Sequence, residues 1–168
     1  MSARHLVFVY GTLRKNMLNH SRLLDAANGA ARCLGLATTT ERYPLVIASR
    51  YNIPYLLAAP GHGQHVRGEV YEVDDKMLET LDALENHPKY YERKEKKIKL
   101  EDSGEERECW VYLLHCYKPH LMDLPFLEDY CAVDDPEKVY IARCLRKEPG
   151  PEYWVDVKLD EVLAPSKE

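Results

Sequence analysis

Glu85 is the carboxylate whose position in the sequence best suits proton transfer. It lies four residues after Leu81 and seven after Leu78, and residues at these spacings share one face of a helix. The apolar residues that define this face of the predicted helix are Met77, Leu78, Leu81 and Leu84. A carboxylate on an apolar face would be desolvated, which raises its pKa and suits it to carry protons near neutral pH.

Two other interpretations of this region stay open from spacing alone. Glu85 could lie in a fraying last helical turn and reach water beside Asn86 and His87. Asp82 is the rival carboxylate, because it lies four residues after Leu78 but nearer the polar edge of the helix. Glu85 is therefore the first candidate for a general acid and base, and Asp82 is the second.

The second chemical feature is the tetrapeptide Tyr10-Gly11-Thr12-Leu13. It ends a short apolar run, beginning at His5, that predicts a buried strand. Gly11 permits a tight turn there, and successive N–H groups in such a turn can point to one side and bind a carboxylate or an oxyanion. Taken alone, the tetrapeptide is also compatible with a plain loop.

Composition excludes several other function classes. The chain has 168 residues, which fits a single domain over residues 1–168. Its net charge is −5 with both signs dispersed, which argues against a nucleic-acid-binding surface. The sequence has no P-loop, no dinucleotide-binding glycine pattern and no cluster with metal-ligand spacing, so no metal site is expected.

The cysteines and the hydropathy pattern indicate the cellular compartment in which the protein is expected. There are five cysteines, an odd number, and no two of them have CxxC spacing, so they do not form a disulfide framework and a reducing compartment is expected. No apolar run reaches the roughly 18 residues that a membrane-spanning helix needs, and no secretory segment is visible. The expected protein is a cytosolic monomer.

Short strands dominate the predicted secondary structure, with one helix over residues 19–27 and another from Asp74 or Asp75 to about Asn86. The predicted strands are residues 5–10, 30–38, 43–48, 55–59, 66–73, 90–101 and 109–116. These elements predict an α+β fold, a compact mixed sheet or barrel with two helices outside it. After Tyr117 the pattern weakens, leaving a helical turn or strand at 140–146 and a final strand at 153–157 as predictions.

Four sequence blocks resemble one family. Val9–Arg14 resembles the signature that opens γ-glutamylcyclotransferase-like (AIG2-like) domains, and Gly68–Asp74 followed by Met77–Glu85 resembles that family's strand, helix and acidic residue. Tyr43–Ala48 and Asn52–Leu57 resemble its γ-glutamylamine cyclotransferase branch. The similarity covers roughly residues 5–115, so the chain has a divergent tail from about residue 117.

The resemblance implies a small mixed β-barrel with flanking helices, without a metal ion or an organic cofactor. It implies that Tyr10, Gly11, Thr12 and Leu13 bind a glutamyl group, largely through backbone atoms, and that Glu85 donates and accepts the proton. It also implies a tyrosine near the pocket, for which Tyr91 and its neighbour Tyr90 are both available.

The implied reaction needs only one carboxylate. In a γ-glutamyl amide the substrate's own α-amine can attack its γ-carbonyl and close the ring of 5-oxoproline, and good orientation in such intramolecular reactions is worth roughly 7–11 kcal/mol. One carboxylate can take a proton from the α-ammonium and return it to the leaving amine. The loop amides would donate to the oxyanion.

The expected substrate is γ-glutamyl-ε-lysine, whose aliphatic stem would suit an apolar wall built from Ile53, Tyr55 and Leu56. An α-amino-acid leaving group would instead want a cation beside the scissile bond, for which Arg14 and Arg93 are the candidates. Two alternatives stay open: a cyclotransferase for γ-glutamyl amino acids or glutathione-like peptides, and a non-catalytic ligand-binding relative. The presence of Glu85 argues against the latter.

Overall fold

The computed structural model describes residues 4–141 and Val157. Its strands are β1 Arg4–Val9, β2 Ala31–Tyr43, β3 Leu45–Ala48, β4 Ile53–Leu56, β5 Gln64–Asp74, β6 Tyr91–Leu100 and β7 Glu106–Leu114. Its helices are α1 Ser21–Leu24 and α2 Asp75–Leu84, with short 3₁₀ turns at Ala26–Asn28, Pro119–Asp123, Tyr130–Ala132 and Pro136–Lys138. In this part of the chain no helix is both long and apolar enough to cross a bilayer.

Five of these strands close a barrel in the order β1-β5-β2-β6-β7. The neighbouring pairs are antiparallel except β1 and β7, which meet in parallel with Val7 opposite Trp110 and close the barrel. The strands β3 and β4 form a separate antiparallel hairpin in which Leu45 faces Leu56. This mixed barrel with outer helices confirms the predicted fold class.

Helix α2 begins and ends at identifiable residues. The Asp74 carboxylate accepts a hydrogen bond of 2.9 Å from the Met77 N–H, which caps the N-terminus as the sequence predicted. Met77, Leu78 and Leu81 are buried against the barrel. The helix ends at Leu84, two residues before the predicted end, because Asn86 adopts a φ of 52°. Glu85 therefore lies just outside the last turn.

The predicted helix over residues 19–27 is shorter in the structure. Asp25 has an extended backbone, and its side chain accepts from the Ala27 N–H at 2.9 Å, so α1 stops and a 3₁₀ turn follows. Gly29 ends this turn, with a φ of 124° that a residue with a side chain rarely adopts.

The tail beyond Tyr117 packs onto the barrel where the structure describes it. Leu121, Tyr130 and Val157 are buried in the same core as the strands. The Lys118 N–H donates to the Val157 carbonyl at 2.6 Å. The strand predicted at 153–157, apart from Val157, and most of the element predicted at 140–146 lie outside the described residues.

Candidate active site

Glu85 is fixed by backbone hydrogen bonds on both sides. Its N–H donates to the Leu81 carbonyl at 2.9 Å, and its own carbonyl accepts from the Tyr91 N–H at 3.3 Å. The residue thus joins the end of α2 to the start of β6, and its side chain is partly buried. Glu85 is the C-cap of α2.

Three buried tyrosine hydroxyls lie within electrostatic reach of the Glu85 carboxylate. Burial is the largest cause that raises the pKa of Tyr10, and the charge of Glu85 is the second. Burial also leads for Tyr91 and Tyr112, and Glu85 again contributes to the raised pKa of each. The charge of Glu85 therefore helps to keep the phenols of Tyr10, Tyr91 and Tyr112 neutral.

Tyr91 belongs to an aromatic cluster with Tyr55 and Tyr90. The rings of Tyr55 and Tyr91 stack at 5.7 Å, and the Tyr90 ring meets Tyr91 edge-on at 5.1 Å. The hydroxyls of Tyr55 and Tyr90 are hydrogen-bonded at 2.6 Å, and the Tyr91 hydroxyl donates to the Pro54 carbonyl at 3.3 Å. Both Tyr90 and Tyr91 belong to this cluster, so either stays available as the pocket tyrosine.

The carbonyls of the Tyr10–Leu13 loop are held by the turn that follows it. The Asn19 N–H donates to the Thr12 carbonyl at 2.9 Å, and Asn19 Nδ2 donates to Thr12 Oγ1 at 2.8 Å. The Leu13 carbonyl is hydrogen-bonded to the His20 ring at 2.9 Å. Among the residues that the structure describes, none accepts a hydrogen bond from the N–H groups of Gly11, Thr12 or Leu13. These three donors suit an anionic ligand group.

Gly11 is required for a reason that the sequence did not reveal. A turn does begin at Gly11, because the Arg14 N–H donates to its carbonyl at 3.0 Å, but the Gly11 backbone does not adopt the left-handed conformation. A Cβ at this position would lie 2.7 Å from Pro54 Cγ on β4. The loop and the hairpin strand therefore approach each other more closely than any side chain at Gly11 allows.

Asp82, the rival carboxylate, is occupied by structural partners. Arg93 binds it in a bidentate pair, Nε to Oδ1 at 2.8 Å and Nη2 to Oδ2 at 3.1 Å, and the Tyr112 hydroxyl donates to Oδ1 at 2.7 Å. Burial opposes ionisation of Asp82, but the hydrogen bonds from Arg93 and Tyr112 outweigh it and the pKa is lowered. A carboxylate held ionised by an arginine is a poor proton carrier at neutral pH.

Replacing Asp82 by Asn is expected to destabilise the protein rather than to remove its acid–base group. Loss of the charged partner should lower the free energy of unfolding by about 1–3 kcal/mol. Because the pKa of Asp82 is lower in the folded than in the unfolded chain, this difference should be full above about pH 4 and vanish as the pH falls through the folded-state pKa. Urea unfolding of both proteins between pH 2 and pH 7 measures it. Unchanged stability with a shifted pH profile of turnover would contradict this role.

Comparison with known proteins identifies the family. Residues 7–132 match the family described as Gamma-glutamyl cyclotransferase, AIG2-like. The chain is 50% identical over 124 residues to Gamma-glutamylaminecyclotransferase of Bos taurus, covering 74% of each chain. It is 43% identical over 154 residues to Gamma-glutamylaminecyclotransferase C of Danio rerio, covering 88% of this chain and 99% of the relative. The chain belongs to the AIG2-like γ-glutamyl cyclotransferase family.

A solved structure agrees with this assignment. The crystal structure of an AIG2-like protein from Mus musculus superposes with a TM-score of 0.80 at 39% identity, covering 85% of this chain and 99% of that one. Family membership confirms the predicted resemblance and the predicted enzyme class. The roles of Glu85 and of the Tyr10–Leu13 loop in this AIG2-like protein stay predictions.

The Tyr10–Leu13 loop also borders a cavity that the sequence did not predict. The cavity has a volume of about 490 Å³, and Thr12 forms part of its wall. Its other lining residues come from the turn after the loop and from the tail: Met17, Leu18, Tyr130, Cys131, Val133, Asp134, Asp135, Pro136, Lys138, Val139 and Tyr140. The tail, whose role the sequence left open, thus builds a wall beside the candidate site.

The apolar wall predicted from Ile53, Tyr55 and Leu56 is not formed as expected. Tyr55 and Leu56 have no exposed surface, because Tyr55 stacks in the aromatic cluster and Leu56 packs in the barrel core. Ile53 alone keeps some exposure. No group of three His, Cys, Asp or Glu side chains within residues 4–141 and Val157 could hold a metal ion.

Proposed function

We propose that this AIG2-like protein cleaves γ-glutamyl amides by ring closure, with Glu85 as the proton carrier. The observation that carries the proposal is the hydrogen-bonded link between the end of α2 and the Tyr10–Leu13 loop: the Tyr10 hydroxyl donates to the Tyr112 carbonyl, and the Tyr112 hydroxyl donates to Asp82, three residues before Glu85. The next three N–H groups of that loop suit an anionic ligand. A single carboxylate beside an anion-binding loop supplies what an intramolecular attack requires.

The proposed steps balance without a co-reactant. Glu85 takes a proton from the substrate's α-ammonium, and the free amine attacks the γ-carbonyl carbon to form the ring C–N bond. The N–H groups of Gly11, Thr12 and Leu13 donate to the substrate's anionic groups, including the developing oxyanion. Glu85 then protonates the leaving nitrogen as its bond to the γ-carbon breaks. Glu85 next takes the second proton from the ring nitrogen and passes it to the departing amine, which leaves as an ammonium. The products are 5-oxoproline and the free amine.

The proposed substrate is γ-glutamyl-ε-lysine. The two arginines that the sequence offered for the α-carboxylate of an α-amino-acid leaving group are already paired, Arg93 with Asp82, and Arg14 with two other carboxylates. This supports a leaving group that has no carboxylate beside the scissile nitrogen. The named activity of the Bos taurus and Danio rerio relatives supports the same branch.

The cavity beside Thr12 suits the distal half of that substrate. Its apolar lining includes Met17, Leu18 and Val139, against which an aliphatic stem can pack. It also carries carboxylates and the Lys138 ammonium, which complement the ammonium and carboxylate at the far end of a lysine.

We further propose that residues 1–168 form one domain and that the protein is a cytosolic monomer.

The substrate proposal predicts a ratio of specificities. We expect kcat/KM for γ-glutamyl-ε-lysine to exceed that for γ-glutamyl-alanine by about 10- to 200-fold, the range that a pocket of fitting shape supplies. Release of 5-oxoproline from these two substrates and from glutathione measures it. A higher value for γ-glutamyl-alanine or glutathione would assign the chain to the γ-glutamyl amino acid activity and would leave the proposed role of Glu85 intact.

A further inference from the structure

A cluster of three charged side chains, of which Arg14 and Glu69 are buried and Asp129 is partly buried, lies directly behind the candidate substrate loop. Arg14 follows Leu13 in the chain, yet its residue is only 5% exposed, and Glu69 on β5 is 7% exposed. Arg14 Nε lies 3.5 Å from Glu69 Oε2, and Arg14 Nη1 donates to Asp129 Oδ1 at 2.6 Å. One guanidinium thus bridges two carboxylates, one from the barrel and one from the tail.

Further hydrogen bonds fix each carboxylate of this cluster. Glu69 Oε1 accepts from the Lys15 N–H and from the Tyr71 hydroxyl, both at 2.9 Å. Asp129 Oδ1 also accepts from the Cys131 N–H at 2.9 Å. Every charged group is therefore paired and hydrogen-bonded, which buried charges require. No step proposed for the reaction uses any of these groups.

The cluster is connected both to the substrate loop and to the tail segment that lines the cavity beside Thr12. On one side the Arg14 N–H donates to the Gly11 carbonyl at 3.0 Å, so the guanidinium and the substrate loop belong to one turn. On the other side Asp129 immediately precedes Tyr130, where the tail begins to line the cavity beside Thr12. A displacement of Arg14 would move the loop and the tail wall relative to each other.

We infer that Glu69, Arg14 and Asp129 are positioning residues that hold the Tyr10–Leu13 loop and the tail wall in the geometry that binds the substrate. The inference rests on the proposed function of that loop. The three side chains act through the backbone of the loop and the tail and touch no reacting atom. The divergent tail is then a part of the substrate site that the barrel holds through an ion cluster.

Glu69→Gln tests the inference, because Gln keeps the shape but removes the charge that faces Arg14. We expect KM for γ-glutamyl-ε-lysine to rise about 10- to 100-fold, the loss expected for a hydrogen bond to a charged group, with kcat falling less than about tenfold. The matched control is Glu72→Gln on the same strand, where Glu72 pairs with the exposed Arg32 at 3.3 Å. The control should keep the parent's KM and kcat.

Hydrogen–deuterium exchange without substrate gives a readout that does not depend on activity. In Glu69→Gln the hydrogen-bonded amides of Arg14, Met17 and Asn19 should exchange at least about tenfold faster, while those of β6 and β7 keep the parent's rates. Arg14→Lys serves as a second variant that retains the charge but loses the planar fork that reaches both carboxylates. It should give the same pattern if Glu69→Gln folds poorly.

Two outcomes would overturn the inference. A lowered melting temperature in both variants, with KM and loop exchange at the parent's values, would mean that the cluster only stabilises the fold. Equal effects of Glu69→Gln and Glu72→Gln would mean that position in the cluster is irrelevant. If the parent itself released no 5-oxoproline, the proposed function would fail, while loop exchange would still decide whether the cluster positions the loop.

Discussion

Replacing Glu85 by Gln is expected to lower kcat for γ-glutamyl amides by about 10²- to 10⁴-fold, the range that loss of a general acid and base costs. Gln has nearly the same shape, and the backbone bonds of Glu85 to Leu81 and Tyr91 do not involve its side chain. The fold and the affinity for 5-oxoproline should therefore stay close to those of the parent. Steady-state kinetics, circular dichroism and calorimetric binding measure the three quantities.

Glu79→Gln provides the matched control for this experiment. Glu79 lies on the same helix, α2, but on its exposed side, so the same chemical change there should leave kcat unaltered. Turnover near the parent's value in Glu85→Gln would remove Glu85 from the mechanism. Asp82 would then be the remaining carboxylate of the helix, although its bidentate pair with Arg93 opposes such a role.

Gly11→Ala is expected to weaken binding of 5-oxoproline by at least about tenfold while the barrel stays folded. The added Cβ would meet Pro54 Cγ at 2.7 Å, closer than carbon atoms pack, so the loop must move away from β4 and carry its N–H donors with it. The dissociation constant from calorimetry, together with the thermal unfolding curve, measures the two effects. Gly11→Val should be more severe in the same direction.

The double variant Gly11→Ala with Pro54→Ala isolates the cause. Removing the proline ring leaves only the Cβ of residue 54, which lies 3.4 Å from the added atom, so binding should recover most of its strength. Parental affinity in Gly11→Ala alone would show that the loop does not need to approach β4 in order to bind. A double variant as weak as the single one would assign the loss to the backbone of Gly11 and not to the ring.

The barrel could be predicted from the sequence because its strands carry local signals. The alternation of polar and apolar residues along β5 and the apolar run of β1 each predict a strand, although residues 68–71 of β5 are all buried. The cap of α2 was predicted at Asp74 or Asp75, because it depends on one residue type next to an apolar helical repeat, and the structure has it at Asp74. Local patterns gave the elements, and their boundaries shifted by only a few residues.

The contacts between distant segments could not be predicted in the same way. Tyr112 connects helix α2 with the substrate loop. Its hydroxyl donates to Asp82, and its carbonyl accepts from the Tyr10 hydroxyl, both at 2.7 Å. Nothing in the sequence around Tyr112 distinguishes it from any other buried tyrosine of a strand. The same holds for Glu69, whose partner Arg14 lies 55 positions away along the chain.

The tail beyond Tyr117 is the segment whose structure could be predicted least from the sequence. Its prolines divide it into short 3₁₀ turns without helical or strand periodicity, so the sequence offered no pattern from which to place Asp129 or Lys138. The position of Asp129 follows from its ion pair with Arg14, the residue after the substrate loop. Such a contact becomes visible only in three dimensions.

The identity of the products formed from γ-glutamyl-ε-lysine tests the central claim most directly. Attack by the substrate's own α-amine predicts that 5-oxoproline and lysine appear in equal amounts, that no glutamate is formed, and that Glu85→Gln forms both products far more slowly. Chromatographic quantification of all three compounds during a single time course measures this. Release of glutamate with lysine would show that water, not the α-amine, attacks the γ-carbonyl, and would contradict the account.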